Sequence, residues 1–233
     1  MPSSESRPTI HIPGTTSHTI APRAGLDRRE GTLRYLKAGT GKAGTGAPLV
    51  LLHTVRTQAE HFRRLIPLIA DHYTVYALDL PGMGYSEIVP GASYDEPAMR
   101  AGVERLLTEL DLHDVTLLGE SMGAVLALTT AADLPERVRR VVAVNTYDFR
   151  GGIARSGLLA RVVVGSVLAP GVGPVIAGVE PRPALRAILR GGLGDRSALR
   201  DDYVDELLQV GTRPGHPTVA RAVYQALPSL IRA

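Results

Sequence analysis

The chain has 233 residues, of which 44% are hydrophobic and 21% are charged, so its composition is that of a folded globular protein and excludes a disordered chain. It contains no cysteine, which excludes disulfide bonds, thiolate-bound metals and a cysteine nucleophile. The formal net charge of +3 comes from basic residues that are spread along the chain without interleaved aromatic residues, which argues against nucleic acid as a partner.

The N-terminal segment differs in composition from the rest of the chain. The first 25 residues are rich in serine, threonine, proline and arginine, which predicts a flexible tail over residues 1–25. They open with neither the basic run nor the apolar run of a secretory signal, so we expect a cytoplasmic location. A core domain is expected to follow over residues 26–149.

Short apolar or β-branched runs alternate with helical patterns in the middle of the chain. The predicted strands are residues 48–53, 73–78, 115–118 and 138–144, and the predicted helices are residues 58–70, 96–110 and 122–132. Such alternation is typical of parallel strands joined by right-handed helical crossovers. The sequence therefore predicts an α/β fold for the core domain, with a parallel sheet.

The C-terminal part of the chain has no strand pattern and is helical and apolar, which predicts a helical cap or lid over residues 150–233. Within it, residues 162–179 are uncharged, a length that just meets the requirement of a membrane span. Two prolines and four glycines interrupt this stretch, however. We therefore expect two short apolar helices over a pocket and no membrane span.

A possible nucleophile lies where a predicted strand meets a predicted helix. Residues 119–123 read Gly-Glu-Ser-Met-Gly and match the pattern G-x-S-x-G. In such a turn the serine backbone is strained, and the hydroxyl is exposed at the carboxyl edge of the sheet. The flanking glycines are needed because a Cβ atom would collide with the neighbouring strand or helix. The pattern predicts that Ser121 is a nucleophile.

Two further motifs precede this turn. Residues 51–55 read Leu-Leu-His-Thr-Val, and residues 79–86 read Asp-Leu-Pro-Gly-Met-Gly-Tyr-Ser. With these three motifs in order, the chain resembles the serine-nucleophile branch of the α/β-hydrolase family over residues 32–145. The resemblance implies an α/β-hydrolase core with a parallel sheet and a helical cap. Serine at the nucleophile position argues against the family's dehalogenases and epoxide hydrolases, which use aspartate there.

The resemblance also implies roles for individual residues. Ser121 corresponds to the nucleophile, and the backbone N–H groups of Val55 and Met122 correspond to the oxyanion hole. His53 is expected at the substrate-binding edge, where it organises the loop by hydrogen bonding. Arg56 is a candidate for binding an anionic group of the substrate, with a solvated or ion-paired arginine as the alternative.

Three neighbouring residues have less direct expected roles. Thr54 stands where the family usually has glycine, which restricts the backbone that positions the amide of Val55. Glu120 is expected to tune the site or to pair with Arg56. Asp79 is expected to brace its own turn.

A serine nucleophile needs a general base, which in this family is a histidine oriented by an acid on loops after two further strands. No run after residue 145 has the pattern of such a strand. Asp148 stands in an alternative acid position of the family, or it anchors a loop. His216, the only histidine after Ser121, lies in a helical pattern and is expected to belong to the cap. We therefore expect a C-terminally truncated fold, with the catalytic histidine beyond Ala233.

These expectations lead to a serine hydrolase that acts on an ester or related acyl substrate through an acyl-enzyme at Ser121. One alternative is a catalytically inactive fragment or ligand-binding remnant of the same fold. Another is a carbon–carbon bond hydrolase or a cofactor-free peroxidase, because these enzymes share the same strand-to-helix turn. The expected partner is a small molecule with a hydrophobic acyl part, and no cofactor or metal is expected. A truncated sheet also predicts self-association through the exposed edge strand at residues 138–144.

Overall fold

The computed structural model describes residues 10–23, 30–39, 46–146 and 181–230, together with positions 162, 165, 166 and 169. Its strands are β1 (Thr15–Ile20), β2 (Leu33–Ala38), β3 (Ala47–Leu52), β4 (Tyr73–Leu78), β5 (Val115–Glu120) and β6 (Val138–Val144). Its α-helices are α1 (Ile66–Ile69), α2 (Glu96–Glu109), α3 (Met122–Asp133), α4 (Arg182–Gly192), α5 (Asp201–Gly211) and α6 (His216–Leu230). Short 3-10 turns lie at Ala59–Phe62 and Arg196–Ala198.

The strands form one sheet in the order β1-β2-β4-β3-β5-β6. The four strands β3 to β6 are parallel, with β3 between β4 and β5. Residues Val50, Leu51 and Leu52 of β3 are fully buried because helical segments cover both faces of the sheet at this point. Helices α2 and α3 pack on one face, while α1 and the turn at Ala59–Phe62 pack on the other. The predicted α/β core with parallel strands is thus confirmed.

The N-terminal part of the sheet differs from the sequence prediction. Strand β1 pairs antiparallel with β2, and β2 pairs antiparallel with β4, so part of the predicted tail at residues 1–25 is an edge strand. Most of the side chains of β1 are polar and exposed, and Ile20 is the buried exception within the strand. An edge strand with one apolar anchor has no alternating hydrophobic pattern, which is why its composition resembles that of a tail.

The predicted helix over residues 58–70 is divided in the structure. A 3-10 turn spans Ala59–Phe62 and is followed by the four residues of α1. Pro67 lies in the first turn of α1, where its missing N–H group costs nothing. The same proline cannot continue a helix from residue 63, because it has no N–H group to donate and its ring clashes with the preceding turn. The two other predicted helices match α2 and α3 closely.

The described residues after Val144 that form regular structure are helical. Helices α4 and α5 share a small apolar cluster of their own, while Val219, Val223 and Tyr224 of α6 join the main core beside α2. Most of the apolar stretch at residues 162–179 lies outside the described residues. No helix in the described part of the chain is long and apolar enough to cross a membrane.

Strand β6 is the outer strand of the sheet on the side of β5. Its residues Val142 and Val144 are each 44% exposed, which is high for apolar side chains in a strand. In the described residues, β6 therefore presents an apolar edge, and self-association through it stays a prediction.

Candidate active site

Ser121 forms the turn between β5 and α3. Its backbone has φ 53° and ψ −112°, a strained conformation for a residue other than glycine. The N–H group of Ser121 donates to the carbonyl of Val144 at 2.9 Å, and the carbonyl of Ser121 accepts from Ala124 at 3.0 Å. The turn is therefore fastened to β6 on one side and to α3 on the other, and the side chain lies at the carboxyl edge of the sheet.

The two glycines of this turn allow the backbone segments around it to approach closely. A Cβ atom on Gly119 would lie 2.0 Å from the carbonyl oxygen of Gly123, and one on Gly123 would lie 2.1 Å from that of Leu52. Both distances are far below any real contact, and the obstacles are main-chain atoms. The close approach of β3, β5 and α3 at Ser121 therefore requires glycine at both positions.

Two backbone amides that could face an oxyanion come from neighbouring elements. Met122 is the first residue of α3, where N–H groups have no partner within the helix and the helix dipole favours negative charge. Val55 is half-buried in the turn directly after β3, which pairs with β5 in register Leu52 to Gly119. Because the carboxyl ends of parallel neighbours meet at the same edge, the loop of Val55 and the turn of Ser121 adjoin each other.

His53 supports the loop that carries Val55. Its side chain is fully buried, and its Nε2 atom accepts the N–H of Leu80 at 3.0 Å. The proton is then on Nδ1, which donates to the carbonyl of Thr54 at 2.8 Å. Burial lowers the pKa of His53 to about 4, so the ring is neutral. His53 thus braces the loop by hydrogen bonding, the role expected of it, and its side chain is fully buried.

A buried ionic network lies behind the same loop. The guanidinium of Arg34 contacts Glu60 at 2.7 Å and Asp79 at 3.0 Å, and all three side chains are buried. Asp79 also accepts from the N–H groups of Ala59 at 2.6 Å and Tyr85 at 2.9 Å. Burial, and then the nearby carboxylate of Asp79, raise the pKa of Glu60 to about 7. Asp79 thus ties its own turn to the segment that follows the loop of Val55.

Glu120, the residue before Ser121, is paired with a side chain that the sequence analysis did not identify. Its Oε2 atom lies 2.5 Å from Nε2 of His61, and Nδ1 of His61 lies 2.8 Å from the hydroxyl of Tyr203 on α5. The hydrogen bond from His61 lowers the pKa of Glu120, so the carboxyl group is ionised. Glu120 is therefore paired with His61, whereas pairing with Arg56 was one of its two expected roles.

Helix α5 and the residues after it dock on the same edge of the sheet. The hydroxyl of Tyr85 donates to Glu206 at 2.5 Å, and the amide of Gln58 donates to the same carboxylate at 3.2 Å. The guanidinium of Arg213 donates to the carbonyl of Ser86 at 3.1 Å. These bonds join the C-terminal helices to the turn at residues 79–86 and to the segment after β3.

Two further candidates for proton transfer are His216 and Asp148. His216 begins α6 and is only 4% exposed, and burial followed by the charges of Arg56 and Arg213 lowers its pKa to about 4. In the described part of the chain, no histidine is hydrogen-bonded to the hydroxyl of Ser121. Asp148 lies outside the described residues. The described residues also contain no group of three or more His, Asp or Glu side chains that could hold a metal ion.

Comparison with known proteins adds independent information on the fold. A family model described as the alpha/beta hydrolase fold matches residues 47–162. The crystal structure of Cfl2 from Burkholderia cenocepacia is similar with a TM-score of 0.79 and 26% identity, and the match covers 97% of this chain and 76% of that one. The epoxide hydrolase CorEH is similar with a TM-score of 0.75 and 22% identity, which shows the fold alone.

Two curated relatives from Pseudomonas are hydrolases that are longer than this chain. The chain is 29% identical over 187 residues to 2-hydroxy-6-oxo-2,4-heptadienoate hydrolase of Pseudomonas putida, a match that covers 78% of the chain and 62% of that protein. It is 27% identical over 187 residues to 2-hydroxymuconate semialdehyde hydrolase of a Pseudomonas species, covering 79% of the chain and 61% of that protein. The chain thus spans less than two thirds of the length of either relative.

Proposed function

The chain belongs to the α/β-hydrolase family, and from this premise we propose that it is a serine hydrolase that attacks an ester or related acyl carbon through Ser121. The observation that carries the proposal is the strained backbone of Ser121 at φ 53°, between β5 and α3. A strand-to-helix turn that holds a serine in this conformation exposes the hydroxyl at the carboxyl edge of the sheet. Serine at this position also argues against the chemistry of epoxide hydrolases, in which the family uses aspartate.

The proposed reaction begins when the oxygen of Ser121 attacks the acyl carbon and the carbonyl oxygen becomes an oxyanion. The N–H groups of Met122 and Val55 stabilise that charge, since Met122 begins α3 directly after Ser121 and Val55 follows the end of β3, which pairs with β5 beside the Ser121 turn. Collapse of the intermediate releases the leaving group and forms an acyl-enzyme, which water then hydrolyses. The proton of Ser121 passes to a general base, which then gives it to the departing group. We propose Asp148, in the segment after β6, as the carboxylate that orients this base.

The proposed substrate is a small molecule with a hydrophobic acyl part. Arg56 follows Val55 directly in the sequence, and we propose that its guanidinium binds an anionic group of the substrate. The names of the Pseudomonas putida relative and of a further relative, (E)-2-((N-methylformamido)methylene)succinate hydrolase of Acinetobacter baylyi, both describe carboxylates. A carboxylate on the substrate would therefore suit this position.

Covalent labelling tests the proposal. We expect a fluorophosphonate to react with the chain and to form a single adduct, which mass spectrometry of the digested protein places on Ser121. The phosphonate oxygen occupies the position of the oxyanion, so the reaction depends on the same amides as hydrolysis. Ser121→Ala should abolish the adduct, whereas the exposed-loop variant Ser93→Ala should be labelled like the parent. Absence of an adduct, or an adduct on another serine, would refute the proposal.

Hydrolysis of a carbon–carbon bond is a second candidate function. It is favoured by the two Pseudomonas relatives, whose matches cover 78% and 79% of the chain. This reaction uses the same serine turn but cleaves the bond between an acyl group and a carbon leaving group.

A direct comparison of substrates separates the two reactions. We expect a larger kcat/KM for p-nitrophenyl butyrate than for 2-hydroxy-6-oxo-2,4-heptadienoate, each followed by its change in absorbance. The reverse order would assign the chain to the carbon–carbon bond hydrolases. In either case Ser121→Ala serves as the blank, because it removes the nucleophile and leaves the rest of the site in place.

A further inference from the structure

The turn that carries Val55 has a strained backbone. The N–H of Thr57 donates to the carbonyl of Thr54 at 3.3 Å, which closes a four-residue turn with Val55 and Arg56 at its centre. Arg56 has φ 61°, a left-handed conformation that residues other than glycine rarely adopt. Such a conformation persists only where the surrounding structure holds the chain in place. The amide of the proposed oxyanion hole therefore depends on how the two ends of this turn are fixed.

Both ends of the turn are anchored, but by different parts of the chain. Before the turn, His53 accepts the N–H of Leu80 at 3.0 Å. After the turn, Gln58 is fully buried, and its amide donates to Glu206 of helix α5 at 3.2 Å. We propose that Glu206 is a positioning residue that fixes, through Gln58, the turn that carries the amide of Val55. The inference rests on the proposed function and adds to it a residue that does not touch the substrate.

Gln58 and Glu206 belong to a closed ring of hydrogen bonds. Oε1 of Glu206 also accepts from the hydroxyl of Tyr85 at 2.5 Å, and the backbone N–H of Tyr85 donates to Asp79 at 2.9 Å. Asp79 in turn accepts the N–H of Ala59 at 2.6 Å, and Ala59 directly follows Gln58 in the chain. The ring thus holds the end of the turn from two sides: from the core through Asp79, and from helix α5 through Glu206.

Glu206 acts here as a hydrogen-bond acceptor, and this role does not require a charge. Its side chain is fully buried, and one oxygen, Oε1, accepts from both Tyr85 and Gln58. The carbonyl oxygen of a neutral carboxyl group, or of a glutamine, can also accept two hydrogen bonds. Loss of that oxygen would leave the buried amide of Gln58 without this acceptor, which is costly in a buried site. Glu206→Gln should therefore preserve the anchor, and Glu206→Ala should remove it.

A role confined to packing predicts different behaviour. In that case Glu206 would serve only to hold helix α5 against the core, and its loss would have the same effect whatever residue occupies position 56. Anchoring of the strained turn predicts a dependence on position 56, because glycine adopts a positive φ without strain. In a chain with Arg56→Gly, the turn should need the anchor less, and the loss of Glu206 should matter less.

The test measures the second-order rate constant for fluorophosphonate labelling of Ser121 in the full chain, a reaction that depends on the same amides as hydrolysis. We expect Glu206→Ala to slow labelling on the order of ten- to a hundredfold, at or below the effect of losing one donor of an oxyanion hole. Glu206→Gln should react within about threefold of the parent, because it keeps the acceptor. In the Arg56→Gly background, the slowing caused by Glu206→Ala should be at least about fivefold smaller.

The matched control is Asp205→Ala, at an exposed position of α5 directly before Glu206, which should be labelled like the parent. If Glu206→Ala does not fold, as judged by circular dichroism, Gln58→Ala replaces it, since it removes the same hydrogen bond from the other side. A loss of rate that is equally large in the Arg56→Gly background overturns the inference, because it would assign to Glu206 a packing role only. Glu206→Gln that is as slow as Glu206→Ala overturns it too.

Failure of the inference differs from failure of the proposed function. A parent chain that is not labelled at Ser121 refutes the proposed function, and the inference falls with it. A labelled parent, together with Glu206→Ala that is labelled at the parent rate, refutes the inference alone.

Discussion

In a form of the protein that is complete and active on a short-chain aryl ester, Ser121→Ala is expected to lower kcat by several powers of ten, on the order of 10⁴-fold or more, with little change in KM. The reason is the loss of covalent catalysis: the alanine variant has no oxygen that can form the acyl-enzyme. The backbone amides of Met122 and Val55 would remain, so a small residual rate above that of water is expected. The measurement is steady-state release of p-nitrophenol, with purified protein and the uncatalysed rate subtracted.

The control for this experiment must show that the fold survives. Among the described residues, no hydrogen bond of the Ser121 side chain holds the fold together. The melting temperature of Ser121→Ala should therefore match that of the parent. Ser93→Ala, at an exposed loop position, should retain both kcat and stability. If Ser121→Ala turned over the ester at the parent rate, another residue would have to be the nucleophile.

The second large effect is expected at Gly123. Its Cβ position lies 2.1 Å from the carbonyl oxygen and 2.6 Å from the carbonyl carbon of Leu52, which belongs to the fully buried strand β3. Gly123→Val would have to displace main-chain atoms of the central strand, because no flexible side chain is available to move. We expect a loss of about 3 kcal/mol or more in the free energy of unfolding, together with loss of activity.

Thermal unfolding followed by circular dichroism measures this change. Gly194→Ala is the matched control, because a Cβ atom there would have nothing within 4 Å, and its melting temperature should match that of the parent. Gly123→Val melting at the parent temperature would contradict the close approach of β3 and α3 that positions Ser121. The two variants together separate a general cost of replacing glycine from the cost specific to this turn.

Local sequence patterns were sufficient to predict the strands and helices that form from contiguous apolar runs. The parallel strands β3 to β6 and the helices α2 and α3 follow from runs and periodicities of contiguous apolar residues, so they could be predicted within a few positions. The Ser121 turn could also be predicted, because the pattern G-x-S-x-G is contiguous in the sequence, although the atoms that require glycine at position 123 belong to Leu52 of β3. The fold class and the position of the candidate nucleophile thus needed no tertiary information.

Elements that depend on strand pairing or on a single helix-breaking residue were harder to predict from the sequence. Strand β1 has polar, exposed side chains and exists because β2 offers it hydrogen-bonding groups, a partner that its own sequence does not reveal. The segment at residues 58–70 has a helical apolar pattern, but Pro67 divides it. In both cases backbone hydrogen bonding determined the secondary structure more strongly than the hydrophobic pattern did.

The sequence by itself determined an α/β chain with parallel strands and a serine turn, because hydrophobic periodicity and the pattern G-x-S-x-G are both contiguous in the sequence. Only the tertiary structure decided which charged and polar side chains contact one another. His61 and Glu120 are 59 positions apart, His61 and Tyr203 are 142 apart, and Arg34 meets carboxylates 26 and 45 positions away. Such pairs, and the pKa changes that accompany them, depend on distances and burial that arise only when the strands assemble, so no local pattern could predict them.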